Sequence, residues 1–401
     1  MNAPINALDQ PTLAHQPCDR LPLSGLLALA TAGFITLLTE TLPAGLLPQM
    51  SRDLGVSAGL IGQLVTFYAL GSLLAAIPLV ILTQGWRRRP LLLIAIGGFA
   101  VVNSITAFST HYGLTLVARL FAGVFAGLLW ALLAGYASRM VVPKLQGRAI
   151  AVAMLGAPLA LSLGVPAGTL LGNAVGWRMS FVIMTLLTLV LIAWVRWQVP
   201  DFPGLGTQKR LPLRRVLALP GIKPVLFVTF VYVLGHNILY TYIVPFLEPA
   251  GIAGQIEQVL LTFGLAALLS IWVVGLLIDR WLRELVLISC GLFIAAMLVL
   301  ALWGSQPWLI YSAVAIWGLS FGGMATLLQT ALAKSAGASA DAAQSMLVTA
   351  WNLAIAGGGV AGAVLLQGPG VQVFVWVVGA LLLVALGVAI NARRQGFPAL
   401  R

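Results

Sequence analysis

The chain has 401 residues, 60% of them hydrophobic and only 8% charged, with a net charge of +12 and a mean hydropathy of +1.03. An average soluble domain is about a quarter charged, so this composition excludes a water-soluble globular protein and makes lipid the solvent. At about 20 apolar residues per crossing helix, the length holds about a dozen crossings and no large soluble domain.

The first 22 residues are polar and contain proline. They lack the basic start and small-residue cleavage site of a secretory leader and read as a cytoplasmic tail. Apolar stretches closed by Gly, Pro or charge then predict spans near 24–47, 60–82, 91–109, 113–138, 149–172 and 179–198. A hydrophilic stretch over 199–223 separates these from a second set near 224–247, 256–278, 285–304, 307–330, 343–366 and 371–391, with a short tail at 393–401. The expected architecture is an all-α membrane protein, with twelve transmembrane helices in two six-helix pseudo-repeats, 23–198 and 224–392, around a central cavity.

Charge distribution fixes the expected orientation. With both termini inside, the inner segments hold Arg20, Arg87, Arg88, Arg89, Arg139, Lys144, Arg148, Arg196, Lys209, Arg210, Arg214, Arg215, Lys223, Arg280, Arg283, Lys334, Arg393, Arg394 and Arg401, whereas the outer loops keep Arg52 and Arg178. Such asymmetry is the positive-inside pattern. The basic excess is therefore topology, and no nucleic-acid partner is expected.

Shifting the second set back by 195 positions aligns Trp86 with Trp281, Arg88 with Arg283, and Gly123, Gly127 and Gly164 with Gly318, Gly322 and Gly359. Spans 1 and 7 align at a different offset, Pro43 opposite Pro245. Duplicated six-span halves are a transporter architecture, with the substrate site between them near mid-bilayer.

The stretch from Gly275 through Asp279, Arg280 and Trp281 to Arg283 resembles the signature loop of the major facilitator superfamily, here in its second copy between spans 8 and 9. The run around Arg119 and Gly123 is similar to the span 4 motif of that superfamily's drug and proton antiporters. Gly164, Pro166 and Gly168, preceded by Gly156 and Pro158, are similar to their span 5 motif, although the usual Gly-Pro pair is spread out. Gly176, Trp177, Arg178 and Phe181 match a common entry to span 6, and Thr39 to Pro48 looks most like the sugar-efflux (arabinose-efflux) branch. The resemblance implies a proton-coupled exporter in the inner membrane and, at Asp279, a latch between neighbouring helices. In the first copy of the loop, Gln84 stands where the family usually has Asp, which puts the equivalent charge lock in doubt.

Intramembrane charge is costly and marks function by default. Glu40 lies seven residues from the outer end of span 1 and Arg119 six from that of span 4, so both sit about 10 Å deep. They are candidates for proton coupling, and a permanent ion pair between spans 1 and 4 is the alternative. His236 lies mid-span with Tyr232 and Tyr240 one turn away and Asn237 adjacent, a polar aromatic stripe that either contacts substrate or is satisfied by a neighbouring helix. Thr36, Trp317, Gln329 and Asn352 are further substrate candidates for which packing is the competing reading. In span 5, Gly156, Pro158, Gly164, Pro166 and Gly168 predict kinking or local unwinding, either as a moving part or as a fixed bend.

No phosphate-binding loop is present, and His15, His111 and His236 fall in a tail, an outer loop and a span, so neither an ATP-driven pump nor a metal site is indicated. Cys18 and Cys290 lie far apart and give no disulfide framework. The reading is a monomeric, cofactor-free, non-enzymatic carrier whose partners are protons, a small organic solute and the bilayer. A sugar or related metabolite is the leading substrate. A multidrug exporter, a proton-coupled importer and a non-transporting membrane sensor are the alternatives.

Overall fold

In the computed structural model, residues 19–206, 211–252 and 255–398 are described, and they contain helices and no β-strand. Lys209, Arg210, Arg401 and Cys18 fall outside the described residues.

Span 1 forms α1 (Leu23–Gly45), followed at once by the short amphipathic α2 (Leu47–Leu54), which carries Pro48 in its first turn. Spans 2 to 4 are α3 (Ala58–Leu82), α4 (Arg88–Phe108) and α5 (Tyr112–Arg139). Span 5 is segmented into α6 (Gln146–Met154), α7 (Gly156–Leu159), a π turn over Ala160–Gly164, and α8 (Val165–Val175), and α9 (Trp177–Gln198) completes the first set. After a short α10 (Leu213–Ala218), the second set runs as α11 (Ile222–Thr241), α12 (Ile243–Leu247), α13 (Ile256–Trp303), α14 (Pro307–Gly322), α15 (Met324–Ala336), α16 (Ala340–Gln367) and α17 (Phe374–Asn391).

Among the described residues nine helical stretches are long and apolar enough to cross a membrane. Two of these, Gln258–Trp303 and Pro307–Gln367, each contain two of the predicted spans. Span 5 is a further helical run, α6 to α8 over 146–175. The protein is therefore a multi-pass, all-helical membrane protein.

Two expectations gain detail. The loop Asp279 to Arg283 lies where two helices within Ile256–Trp303 meet across a kink at Trp281 (φ −123°, ψ 29°). In span 5 the expected irregularity takes one form. The helix widens into a π turn two residues after Pro158, where the ring removes an amide and crowds the preceding turn. The side chain of Pro166 lies outside the described residues.

Glycine sets the closest contacts. A Cβ on Gly156 would collide with the Ala30 carbonyl, while Gly164, Gly168 and Gly172 abut Phe34, Leu42 and Leu46. The span 5 glycines thus form one face that seats α1, the helix carrying Glu40. Gly123 and Gly127 bring α5 against the backbone of Tyr68 and Ser72 on α3, and Gly318 and Gly322 do the same for α14 against Phe263 and Ala267 on α13. In lipid, where apolar side chains gain nothing by leaving solvent, such backbone approach supplies the packing energy.

Loops are pinned by charge. Asp53 on α2 accepts from the Trp177 indole at 2.9 Å and pairs with Arg178, whose guanidinium also donates to the Ser109 carbonyl at 3.0 Å. At the opposite, Arg-rich end, Asp201 pairs with Arg87 at 2.6 Å and accepts from the Arg89 amide at 3.0 Å, fastening the inter-set linker to the start of α4. Burial pushes the Asp201 carboxyl up, but the Arg89 amide, the Arg87 bond and both guanidinium charges outweigh it and hold it below the usual carboxylate range.

Gly156→Ala should lower the melting temperature in detergent by the equivalent of about 1–3 kcal/mol, the range for overpacking a filled contact. Gly97→Ala, where a Cβ meets nothing within 4 Å, should be neutral or slightly stabilising. Equal losses in both would contradict the α1 contact. Asp201→Asn should lower the melting temperature at neutral pH by about 1 kcal/mol or less, because the Arg87 partner is largely exposed. The folded carboxyl titrates below its unfolded value, so its contribution is present above about pH 4 and lost on further acidification. The gap between variant and parent should therefore close as pH falls, and a gap that widens would contradict the assignment.

Candidate functional site

Two groups of polar and aromatic side chains lie within the helical body. The first surrounds Arg119 on α5, which is 1% exposed. Its Nη2 donates to the backbone carbonyl of Glu40 on α1 at 3.2 Å, its Nε reaches toward the Leu64 carbonyl on α3 at 3.5 Å, and its guanidinium carbon lies 4.9 Å from the Tyr68 ring centroid. The Tyr68 hydroxyl donates to the Thr36 carbonyl at 3.0 Å. Nη1 of Arg119 is buried and has no hydrogen-bond partner.

Glu40 and Arg119 are therefore neighbours, and the ion pair of the alternative reading is not formed. Among the described residues no ion pair includes Glu40, and its side chain is partly exposed rather than buried. The guanidinium is held by helix carbonyls and an aromatic face but keeps one unpartnered N–H, and the Glu40 carboxylate carries no ion pair. Beside it, Asn103 on α4 donates to Thr39 at 3.1 Å and keeps a buried, unpartnered Oδ1. Thr36 is fully buried, with its hydroxyl bonded to Ala32 in its own helix at 2.7 Å, so packing accounts for it.

The second group is aromatic. His236 on α11 stacks on Phe321 with ring centroids 3.6 Å apart, and Tyr240, Trp317 and Phe263 lie within 5.1, 5.3 and 5.8 Å of it. His236 Nδ1 and Trp317 Nε1 are buried without partners, which leaves polar valences on an otherwise apolar wall. Tyr240 is 40% exposed at its margin.

Tyr232 departs from the predicted stripe. It is fully buried, its hydroxyl donates to the Ser320 carbonyl at 2.9 Å, and its ring packs on Phe293 and Phe321. Burial against α13 and α14 gives it a core position in place of a cavity-facing one. Asn237 and Asn352 each donate to a carbonyl one turn back in their own helices, Val233 at 2.8 Å and Val348 at 2.9 Å. Gln329 lies three turns along from Trp317 on α15, where its backbone carbonyl accepts from Gln344 at 2.8 Å and its Oε1 is buried and unpartnered. The structure thus brings together His236, Tyr240 and Trp317 and leaves Tyr232, Thr36 and Gln329 apart from them.

At the Arg-rich end three ion pairs join the two sets of helices. Asp341 on α16 sits 3.0 Å from both Arg88 and Arg139, and Asp279 sits 3.5 Å from Arg148 while accepting from the Gly147 amide at 2.7 Å. Gly275 faces Ala151 across the same boundary, with a Cβ at 3.6 Å if one were added. Arg283 donates to carbonyls at the end of α17, Ala389 at 3.0 Å and Ile390 at 3.0 Å, and Arg280 has no ion pair among the described residues. Sequence reading missed Tyr68, Asn103 and Asp341. The first two are ordinary polar residues in apolar spans, and Asp341 lies just before the predicted start of span 11.

The model of the Major Facilitator Superfamily matches residues 29–358, and the chain belongs to that family. It is a membrane transporter, not an enzyme. It is 30% identical over 383 residues to a chloramphenicol efflux pump of Mycobacterium tuberculosis, covering 92% of this chain and 91% of that protein. It is 29% identical over 338 residues to the purine ribonucleoside efflux pump NepI of Escherichia coli K12, covering 82% and 84%. Among solved structures, the human organic anion transporter MFSD10 superposes with a TM-score of 0.73 at 18% identity, over 93% of this chain and 100% of that one. The proton:xylose symporter XylE gives 0.73 at 14% identity, over 92% and 95%. At those identities the likeness concerns the fold.

Tyr232→Phe should cost about 1 kcal/mol of stability, the net worth of one hydrogen bond, and leave solute affinity unchanged. A changed affinity with unchanged stability would place the hydroxyl in the solute site instead.

Proposed function

We propose that the protein exports a small organic solute from the cytoplasm in exchange for protons, with Glu40 as the proton carrier and the His236 wall as part of the solute site. The observation that carries this reading is the unformed pair: Glu40 lies beside Arg119, yet its carboxylate is free, and Arg119 keeps an unpartnered N–H. When Glu40 is ionised, that N–H attracts it inward. When Glu40 is protonated, the attraction is lost and the side chain returns toward water. A carboxyl held between a hydrated position and a guanidinium is a proton switch, because hydration and charge act on it in opposite directions as the cavity alternates. A permanent structural ion pair is disfavoured by the same geometry. Export is favoured over import because both relatives compared above are named as efflux pumps. On this reading both termini and the Arg-rich end lie in the cytoplasm, in the inner membrane of a bacterial-type cell.

The solute class follows from the aromatic wall. Four rings around His236, with an unpartnered imidazole nitrogen and indole N–H, suit a flat ring that also carries hydrogen-bonding groups. A purine ribonucleoside and chloramphenicol both combine a planar ring with hydroxyls, whereas a bare sugar uses only the hydroxyls. This narrows the expected sugar-like metabolite to a ring-bearing polyol. A broad multidrug exporter would share the wall and is the second reading.

The test uses proteoliposomes with chloramphenicol, adenosine and arabinose. Glu40→Gln should reduce uphill, pH-driven export at least about tenfold while solute-for-solute exchange and melting temperature persist, since Arg119 leans on a backbone carbonyl that the substitution leaves in place. Uphill export at the parental rate would remove Glu40 from coupling. Transport of arabinose alone would remove the ring requirement.

A further inference from the structure

The offset of 195 that aligns Trp86 with Trp281 also pairs position 84 with 279 and 146 with 341. These four positions read Gln84 and Asp279, Gln146 and Asp341. Both positions therefore have a glutamine in the first copy and an aspartate in the second, so a junction that pairs one copy's bend with the other copy's helix start holds one of each. The basic partners follow the same offset, Arg88 with Arg283 and Arg139 with Lys334.

The geometry makes this exchange meaningful. At the second junction, the carboxylate belongs to the bend of α13. Asp279 accepts from the Gly147 amide at the start of α6, pairs with Arg148 at 3.5 Å, and feels the charge of Lys334. At the first junction, the bend between α3 and α4 supplies no acid. Arg88 instead donates to the Gln84 backbone carbonyl at 3.1 Å and pairs at 3.0 Å with Asp341 on the first turn of α16, which Arg139 also holds at 3.0 Å. Asp341 and Arg88 are 2% and 1% exposed. Each carboxylate presses on a glycine of the opposite set: an added Cβ would strike the carboxylate oxygen of Asp279 from Gly147 and that of Asp341 from Gly135. Position 330, the counterpart of Gly135, is Thr330, and Asp279 makes no use of it.

We propose that Asp341 is the displaced counterpart of Asp279: the first junction keeps one carboxylate between its bend and the facing helix start, moved from the bend to the helix, and closure of the Arg-rich end needs one such carboxylate per junction on either side. Asp341 thereby supplies the charge lock that Gln84 cannot. With both junctions in place the two sets are clamped at this end, and opening it breaks both. The inference concerns closure and does not depend on which solute is carried.

The test uses the full chain in liposomes with Cys18 and Cys290 replaced by Ser and a reporter pair, Ala151→Cys with Gly275→Cys. An added Cβ at Gly275 lies 3.6 Å from that of Ala151, within reach of a disulfide when this end is closed. The reporter sits beside the second junction, away from the substitutions. Asp341→Gln should slow oxidative cross-linking about tenfold or more, because it strands Arg88 and Arg139. Gln84→Asp combined with Asp341→Gln rebuilds the first junction on the plan of the second, and it should restore cross-linking to within about twofold of the parent. Unchanged cross-linking in Asp341→Gln overturns the proposal, and so does a double variant no better than the single. Where Asp341→Gln alone fails to fold, recovery of folded, cross-linking protein in the double variant supports the proposal, and failure of both overturns it.

Discussion

Hydrocarbon offers no hydrogen bonds, so a charge inside this protein must find partners among its own helices or reach a water-filled space. That constraint sorts the ionisable groups. Arg88, Arg139, Arg148, Asp279 and Asp341 are spent joining the two sets of helices at one end. Asp53 with Arg178, and Asp201 with Arg87, fasten loops. Arg119 is held by carbonyls of neighbouring helices. Glu40 is left with an adjacent cation and no pair, and on the proposed reading that free carboxylate is what moves protons.

The helices around Glu40 are arranged to hold it in place without holding its side chain. Glycines of span 5 seat α1 along its length, and Gly123 and Gly127 fix α5 against α3, so the backbone that presents Glu40 to Arg119 is set by contacts too close for a side chain. The aromatic wall is in the other set of helices and is rigid for a different reason: stacked rings with few rotamers. On the proposed reading, a proton site in one set and a ring-binding wall in the other would both change surroundings when one set rocks against the other.

Much of this was legible in the sequence. Spans, linker and small-residue contacts follow from apolar length and glycine spacing, because lipid enforces those rules locally. Equal depth made the nearness of Glu40 and Arg119 possible, and the family resemblance of spans 1 and 4 made it plausible. Their bonding did not follow, because depth fixes height and says nothing of rotation or rotamer. Tyr232 misled for the same reason: spacing of four put it on one stripe with His236, but that stripe wraps far enough round α11 for its start to face Phe293. Asp341 carried a signal in the 195-residue offset, visible once position 84 was compared with 279 and 146 with 341 together.

The proposed exchange requires that solute occupancy and protonation of Glu40 exclude each other, and proton release on solute binding tests this most directly. Purified protein in weakly buffered detergent, near the pH at which half the sites are protonated, is titrated with chloramphenicol or adenosine, whichever is transported, and the pH is followed. The account predicts proton release that saturates with solute occupancy, approaches about one proton per protein on the acidic side, and disappears in Glu40→Gln. Saturable solute binding with no proton release at any pH would contradict it.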